Sequence, residues 1–546
     1  MPEQKCQDLL HLFRLIGKPA VQAVVNYVSF CHTCLHKIQR QTNVPAIRQS
    51  EQYKRHRPET TMLYQLVERY YPGFTVNLAE QGKYLPKYVE REFDDFLRCG
   101  RLEHGFLRVV CGDCKQEKLV AFSCKRRGFC PSCGSRRMAE SAALLVDDVL
   151  RGYPVRQWVL SLPIPLRLLL ARYPSELSKV MQIIHRAITT HIVSKAGFTN
   201  KQAKTGAVTL IQRFGSALNL NIHFHMLFLE GAISDNPWGG TTFTRIKAPS
   251  HNNMVELVHT ISHRIANYLE KVGLVQRDME NSFLNLPLDD EETLLHLQGA
   301  SVSYRIAMGP QQGQKVFTLQ TLPASNEGEY GQVANTSGFS LHAGVFANAD
   351  EPDKLERLCR YISRPAISEQ RLSMTDHGKI RYELKTPYRD GTTHVFFDPL
   401  DFIGKLAALI PPPRLNLTRF FGVFAPNSNL RAQVTASQRG KNSPKLNDQE
   451  SHQSDKPYHA RGMSWAQRLK RVFNIDITEC EKCLKHNVTI IACIIEPSII
   501  HKILSYLDNQ GSAITGNNTR APPVEALGQT LMFDDFTIQS DFDFGA

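Results

Sequence analysis

The stretch LNLNIHFHMLFLEG, residues 218–231, decides how the chain is read. Leu218, Leu220, Ile222, Phe224, Met226 and Phe228 occupy one parity, and Asn219, Asn221, His223 and His225 the other. Successive residues of a strand point to opposite faces, so this alternation predicts a strand with one buried face and one polar face. His223 and His225 then leave it on the same side, their Cα atoms about 6.6 Å apart at a rise of about 3.3 Å per residue. Phe224, between them, pins the strand from the buried side. Two imidazoles so placed can share one metal ion. The plain alternative is a solvent-facing polar row that carries histidine by chance.

The segment before it tips the balance towards a metal. GAVTLIQRFG, 206–215, also reads as a strand, with Gln212 as the uncharged polar residue near its centre. If SALNL, 216–220, helps turn the chain between two antiparallel strands, Gln212 lies beside the histidines. Two imidazoles and one amide oxygen leave coordination positions open for water and phosphate. That donor set suits Mg²⁺ or Mn²⁺ acting as a Lewis acid on a phosphodiester.

A nucleophile is found in DKLERLCRYISRPAIS, 353–368. The spacing predicts a helix from near Asp353 that stops before Pro365, since proline disfavours helix at its predecessor. Leu355, Leu358 and Ile362 form its apolar stripe. Lys354, Arg357, Tyr361 and Arg364 follow at intervals of three and four and share another face. One phenol among three cations can be held towards phenolate and can hold the phosphate it attacks. The bland reading is a basic helix face with a half-buried tyrosine.

Cysteine spacing marks a second kind of site. CGDCKQEKLVAFSCKRRGFCPSCGSRR contains Cys111-x2-Cys114 and Cys130-x2-Cys133. Four thiolates in two knuckles predict a closed, structural zinc ribbon, with Gly112 and Gly134 suited to the tight turns. Cys124 ranks below these four, because tetrahedral zinc needs no fifth ligand. Lys125, Arg126, Arg127, Arg136 and Arg137 surround the knuckles and suit a phosphate backbone. A further pair, Cys480-x2-Cys483, could form a second zinc site with His486 and Cys493 or remain an unfilled knuckle.

The 546 residues allow several domains, and their composition is that of a globular protein, with 42% hydrophobic and 21% charged residues. A net charge of +13 favours a polyanionic partner, nucleic acid first. Thirteen cysteines without a readable export signal suggest a reducing compartment. The most apolar run, VTIIACIIEPSII, is broken by Glu496 and Pro497, so no membrane span is expected. The expected organisation is an N-terminal extension (1–56), a helical region (57–105), a zinc ribbon (106–140), a strand-and-helix domain (141–434), a polar linker (435–460), a small CxxC module (461–510) and a tail (511–546). Strands and helices alternate without a βαβ rhythm, which predicts α+β with an antiparallel sheet.

His223-Phe224-His225 is a His-hydrophobic-His motif, and with a helical tyrosine it resembles the HUH endonucleases. The fuller resemblance, from about residue 57 to 510, is to rolling-circle transposases of the insertion-sequence-91 and common-region type. It is carried by HGFLRVVCGDCKQEKLVAFSCKRRGFCPSCGSRRMAE, VRQWVLSLPIPLRLLL, VTLIQRFGSALNLNIHFHML, RYISRPAIS, YELKTPYRDGTTHVFFDPLDFIGKLAALIPPPRLNLTRFFGVFAPNSNLRAQV and FNIDITECEKC. The resemblance implies an antiparallel-sheet HUH nuclease domain behind a zinc ribbon. It also implies nicking of single-stranded DNA at transposon ends, a 5′-phosphotyrosine intermediate at Tyr361, and transfer of one strand to a target. A bacterial, cytoplasmic protein that joins the nucleoid when bound is then expected. Two-tyrosine relatives carry their pair four residues apart. Arg357 and Pro365 stand at those positions here, so the chain resembles the single-tyrosine subgroup. A plasmid replication initiator or relaxase with the same chemistry is one alternative. A zinc-ribbon DNA-binding protein without catalysis is the other.

Overall fold

In this computed structural model, residues 57–236, 238, 240–278, 282–285, 293–323, 333–438 and 479–509 are described, with backbone alone at 51–52 and 475–476. The expected N-terminal extension, most of the linker, residues 461–474 and the tail lie outside them. Cα packing separates residues 1–51 from 52–546, and the elements described below belong to the second unit.

The described chain opens with two helices, α1 (Met62–Glu80) and α2 (Lys87–Arg98). The Thr61 side chain caps α1 by accepting from the Tyr64 amide at 3.3 Å, which satisfies one of the amides a helix start leaves open. Phe93 and Phe96 of α2 pack on Phe129, and through it α2 supports the cysteine-rich segment. That segment supplies β1 (Phe106–Cys111), β2 (Glu117–Ala121) and α3 (Pro131–Ala143).

The central element is a seven-stranded sheet. Its main members are β3 (Val155–Ser161), β4 (Gly206–Phe214), β5 (Leu220–Leu229), β6 (Val333–Thr336), β7 (Phe339–His342) and β8 (Thr418–Gly422), in the spatial order β6-β7-β3-β5-β4-β8, with Phe346–Ala347 also on β3. Every pairing is antiparallel. Helix α4 (Pro174–Lys195) and the helix His251–Lys271 cover one face, over Trp158, Phe224, Met226 and Phe228. Helix α5 (Pro352–Ile362) and residues 142–150 cover the other, over Val155, Leu210, Leu227 and Leu229. The α+β, antiparallel expectation therefore holds.

The strand of the histidines departs from expectation in one respect. Alternation predicts one wet face, but almost every residue of β5 is buried on both sides. The polar face is wet in composition only: α5 closes over it, and Leu227 and Leu229 continue that face as core.

The C-terminal module also departs from expectation. It is not a separate body, because β9 (Val488–Ile494) pairs antiparallel with β1 from Phe106↔Ile494 to Cys111↔Val488, making a three-stranded sheet with β2.

Candidate active site and zinc centres

Register builds the first site. In the β4–β5 hairpin Gln212 stands directly opposite His223, and Leu210 opposite His225. Paired residues share a face, so Gln212, His223 and His225 converge. The turn between the strands closes through a Gly215 N–H to Asn219 carbonyl bond of 2.9 Å and a left-handed Leu218 at φ 57°. The imidazole centroids are 5.0 Å apart. All three side chains are buried, at 4% exposure or less.

Their hydrogen bonds set which atoms can take a metal. His223 Nδ1 donates to the Asn221 carbonyl at 3.0 Å, which puts the ring lone pair on Nε2. Gln157 Nε2 lies 2.7 Å from His225 Nδ1; metal ligation through His225 Nε2 would require this amide turned over, so that its oxygen accepts from Nδ1–H. His225 Nε2 is buried with no partner among the described residues. Gln212 Nε2 donates to the Ile362 carbonyl at 2.7 Å, while Gln212 Oε1 is buried and unpartnered. A buried polar atom left unpaired costs about 1–3 kcal/mol. Two such atoms on one face fit a divalent cation. Burial holds both imidazoles neutral, as ligands must be: desolvation, with the Arg167 and Arg364 charges adding to it, lowers His223 to about 4. His225 is pushed well below the ordinary histidine range by desolvation, then by His223 and Arg364.

The Gln212–Ile362 bond also ties this histidine face to α5, whose last turn carries Tyr361. The Tyr361 ring stands edge-on to His225 at 6.3 Å. Arg364 lies 4.3 Å from the centre of that ring, and the Lys385 ammonium 5.0 Å from it. Arg364, one of the three expected cations, thus lies over the Tyr361 ring. Lys354 pairs with Glu351 at 3.3 Å and lies over Phe346, and Arg357 sits on the exposed side of the helix. The i, i+3, i+4 rule places all three on one face but cannot show that the helix rolls Tyr361 inward. Sequence reasoning misses Lys385, in the turn after residues 380–383, because no periodicity links it to α5.

The zinc reading is corrected in its grouping. Cys111, Cys114, Cys130 and Cys133 do not form one site. Cys99, Cys124, Cys130 and Cys133 form one cluster, and Cys111, Cys114, Cys480 and Cys483 another. Cys124 is thus a full member, and Cys99, at the end of α2, is one that sequence reasoning misses. His486 is not in the second cluster, and Cys493 is exposed on β9. Tetrahedral zinc with Zn–S near 2.3 Å requires S···S edges of about 3.8 Å. The Sγ pairs lie at 3.8 Å (Cys99–Cys133), 3.4 Å (Cys124–Cys133), 3.5 Å (Cys111–Cys483) and 3.4 Å (Cys114–Cys480), so both clusters fit the ion.

Each cluster has a physical reason for its geometry. Cys130 stands at the N-cap position of α3 and Cys133 lies in its first turn, where the positive helix end favours thiolate. Hydrogen bonds from Cys124, Cys130 and Cys99 also drive Cys133 far below the usual thiol range. In the other cluster two like knuckles face each other. Each turns through a left-handed residue after its second cysteine, Lys115 at φ 59° and Leu484 at φ 58°. Lys118–Glu481 at 2.6 Å and Lys485–Asp113 at 3.3 Å bridge them. Of the two glycines expected in tight turns, Gly112 lies in one, whereas Gly134 lies within α3; both also permit close approach. A Cβ on Gly112 would meet the Asn487 side chain at 2.5 Å, and one on Gly134 would meet Pro365 at 2.7 Å.

The basic residues of the knuckle are partly engaged in structure. Arg126 pairs with Asp95, and Arg136 with Glu140 at 3.1 Å. Arg137 donates to the carbonyls of Arg126 and Lys125 at 3.2 and 3.1 Å, and Arg127 to that of Leu415 at 2.5 Å. Lys125 is exposed. No helix among the described residues is long and apolar enough to cross a membrane.

Two cysteine clusters beside an antiparallel sheet that buries two histidines and a glutamine on one face are the equipment of a DNA-processing enzyme, and the comparisons give its class. Residues 206–431 match the family model described as "Putative transposase", and residues 66–162 match the "Transposase zinc-binding domain" of the insertion-sequence-91 type. The chain is a transposase with structural zinc. More narrowly, it belongs to the insertion-sequence-91 family. The zinc-binding match contains six of the eight clustered cysteines and omits Cys480 and Cys483. No curated protein and no solved structure matches the chain.

Proposed function

We propose that this transposase nicks single-stranded DNA at the ends of its element and transfers one strand by a rolling-circle route through a 5′-phosphotyrosine at Tyr361. The observation that carries the reading is the convergence of Gln212 Oε1, His225 Nε2 and the Tyr361 ring on one buried face. Gln212, His223 and His225 would hold Mg²⁺ or Mn²⁺, which supplies Lewis-acid polarisation of the scissile phosphate. A phenol with a pKa near 10 is a poor nucleophile at neutral pH. The Arg364 guanidinium and Lys385 ammonium favour its anion and the added charge on phosphorus. The Tyr361 oxygen attacks phosphorus and the P–O3′ bond breaks. The phenol proton is given up and the departing 3′ oxygen takes one, so a free 3′-hydroxyl and a phosphotyrosine result. The ester keeps the bond energy for rejoining.

In this reading residues 141–434 are the nuclease. Residues 57–140 and the C-terminal CxxC segment form its zinc-bound flank, with Lys125 and Arg357 exposed and suited to backbone phosphates. The reaction puts the protein in the bacterial cytoplasm, on the nucleoid while bound. The test is incubation with single-stranded DNA from the element's flanks and Mg²⁺, followed by peptide mapping of the covalent adduct. Wild type should carry a phosphonucleotide on Tyr361. Tyr361→Phe should bind the strand and form no adduct, and His225→Ala should do the same. An adduct on Tyr382 or Tyr388, or an undiminished one in Tyr361→Phe, would overturn the mechanism.

A further inference from the structure

Beside the metal face, on the side of the zinc knuckle, lies a cavity of about 120 Å³. Gln212 lines it, but His223, His225 and Tyr361 do not, so it adjoins the metal face without coinciding with it. Five arginines line it: Arg126, Arg127 and Arg137 from the knuckle, Arg213 from β4 and Arg364 from beyond α5. No carboxylate does, among the described residues.

Arg213 is the informative one. It stands at the irregularity of the β4–β5 pairing, between the Gln212↔His223 and Phe214↔Leu220 pairs. It is 4% exposed, and its Nε donates to the Leu409 carbonyl at 3.2 Å. Both terminal nitrogens, Nη1 and Nη2, are buried with no acceptor among the described residues. Burial lowers its pKa to about 10, so the side chain remains a cation at neutral pH. Arg364 Nη1 is likewise buried and without an acceptor there. A buried cation with an unmet pair of donors is costly unless an anion completes it. The fork of a guanidinium matches two oxygens of one phosphate. Two carboxylates beside the knuckle offset part of the rim charge but are not partners of Arg213: Glu92 accepts from the Gly128 amide at 2.5 Å and faces Arg126, Arg127 and Arg137, and Asp95 pairs with Arg126.

We propose that this cavity is a second phosphate site, which binds one backbone phosphate of the single-stranded substrate next to the phosphate that is cleaved. Arg213 is its principal ligand, Arg364 is shared with the nucleophile, and Arg127 and Arg137 form the rim. The proposal rests on reading the metal face as a nuclease site. It makes the Cys99/Cys124/Cys130/Cys133 centre a wall of the substrate channel, since the knuckle it folds carries the rim arginines. A purely structural Arg213 that takes water instead is the competing outcome.

The test is methylphosphonate interference. Single-stranded oligonucleotides from the element's flanks are made with one neutral linkage at each position in turn, and binding to the full-length zinc-loaded protein is followed by anisotropy. Both the scissile linkage and a neighbour should matter in wild type, the latter weakening binding about tenfold. Arg213→Gln should erase the neighbour's effect and leave the scissile one. Its slope of log affinity against log salt should also fall by about 0.7, one phosphate contact on a single strand. If Arg213→Gln does not fold, the wild-type profile and Arg137→Gln still decide. Sensitivity at the scissile linkage alone, or an unchanged profile in a folded Arg213→Gln, would overturn the proposal. Because binding is read without cleavage, failure to form any adduct would count against the nuclease reading and leave this site separately judged.

Discussion

Burial gives the histidines of the sheet different jobs on its two faces. His223 and His225 stand together on the face that α5 covers, whereas His185 of α4 is packed as core on the other. His185 Nε2 lies 2.6 Å from Thr209 Oγ1, and its ring stacks on Phe421 at 3.6 Å. Desolvation lowers it to about 3. Its folded pKa is below the unfolded value near 6.5, so on acidification the unfolded chain takes the proton first. The stability due to neutral His185 is complete above pH 6.5 and is lost as pH falls towards 3, by about 1.4 kcal/mol per pH unit. His185→Gln, which can keep the bond to Thr209, should lower the acid-side slope of stability by about one proton. Urea titrations at pH 7, 6 and 5 would measure it, and parallel slopes for the two proteins would refute it. His223, His225 and Gln212 are legible in the sequence, because alternation and an antiparallel hairpin fix which residues share a face. Gln157, Lys385 and Arg213 are not: each reaches the site through packing between elements, which leaves no period in the chain.

At the scale of elements, α5 is held from two sides. Gln212 donates to the carbonyl of its last residue, Ile362, and α3 presses Gly134 against Pro365, just past the helix end. The zinc knuckle therefore packs against the end of α5 that Pro365 terminates. Gly134→Ala places a methyl 2.7 Å from the Pro365 Cβ, and the two elements must part to admit it. The expected cost is about 1–3 kcal/mol of stability, as for overpacking elsewhere. Zinc content should be unchanged and adduct formation should fall, because Arg364 moves with Pro365. Thermal melting, metal analysis and the adduct assay on one preparation check all of this. Lost zinc, or full activity with unchanged stability, would sink the account. The periodicity of 353–364 is enough to find the helix, but not its roll about its own axis. That roll is set by Leu355, Leu358 and Ile362 packing beneath residues 142–150.

Across the whole molecule, the second zinc centre joins segments far apart in the chain: Cys111 meets Cys483 and Cys114 meets Cys480, 372 and 366 residues away. Spacing within CxxC pairs reveals that knuckles exist, but partner choice belongs to the pairing of β1 with β9, and no local rule reaches that far. The entropy of closing a loop grows slowly, by about 0.6 kcal/mol per doubling of its length, so such a closure is feasible for one metal centre. The two centres should then be separable. Cys480→Ser should reduce bound zinc from two ions per chain to one, and release β9 from β1. Amides of 488–494 should lose hydrogen-exchange protection, while α3 and the β4–β5 hairpin keep theirs. Cys130→Ser should also leave one ion, but it unfolds the knuckle that carries Arg127 and Arg137, so it should weaken DNA binding more than Cys480→Ser does. Zinc analysis, exchange mapping and anisotropy on the two variants separate these effects. Loss of both ions from Cys480→Ser would show the centres to be one cooperative unit and refute this division. An ion held by Cys99, Cys124, Cys130 and Cys133 has all its ligands within residues 99–133, and it should outlast the release of a strand from the other end of the chain.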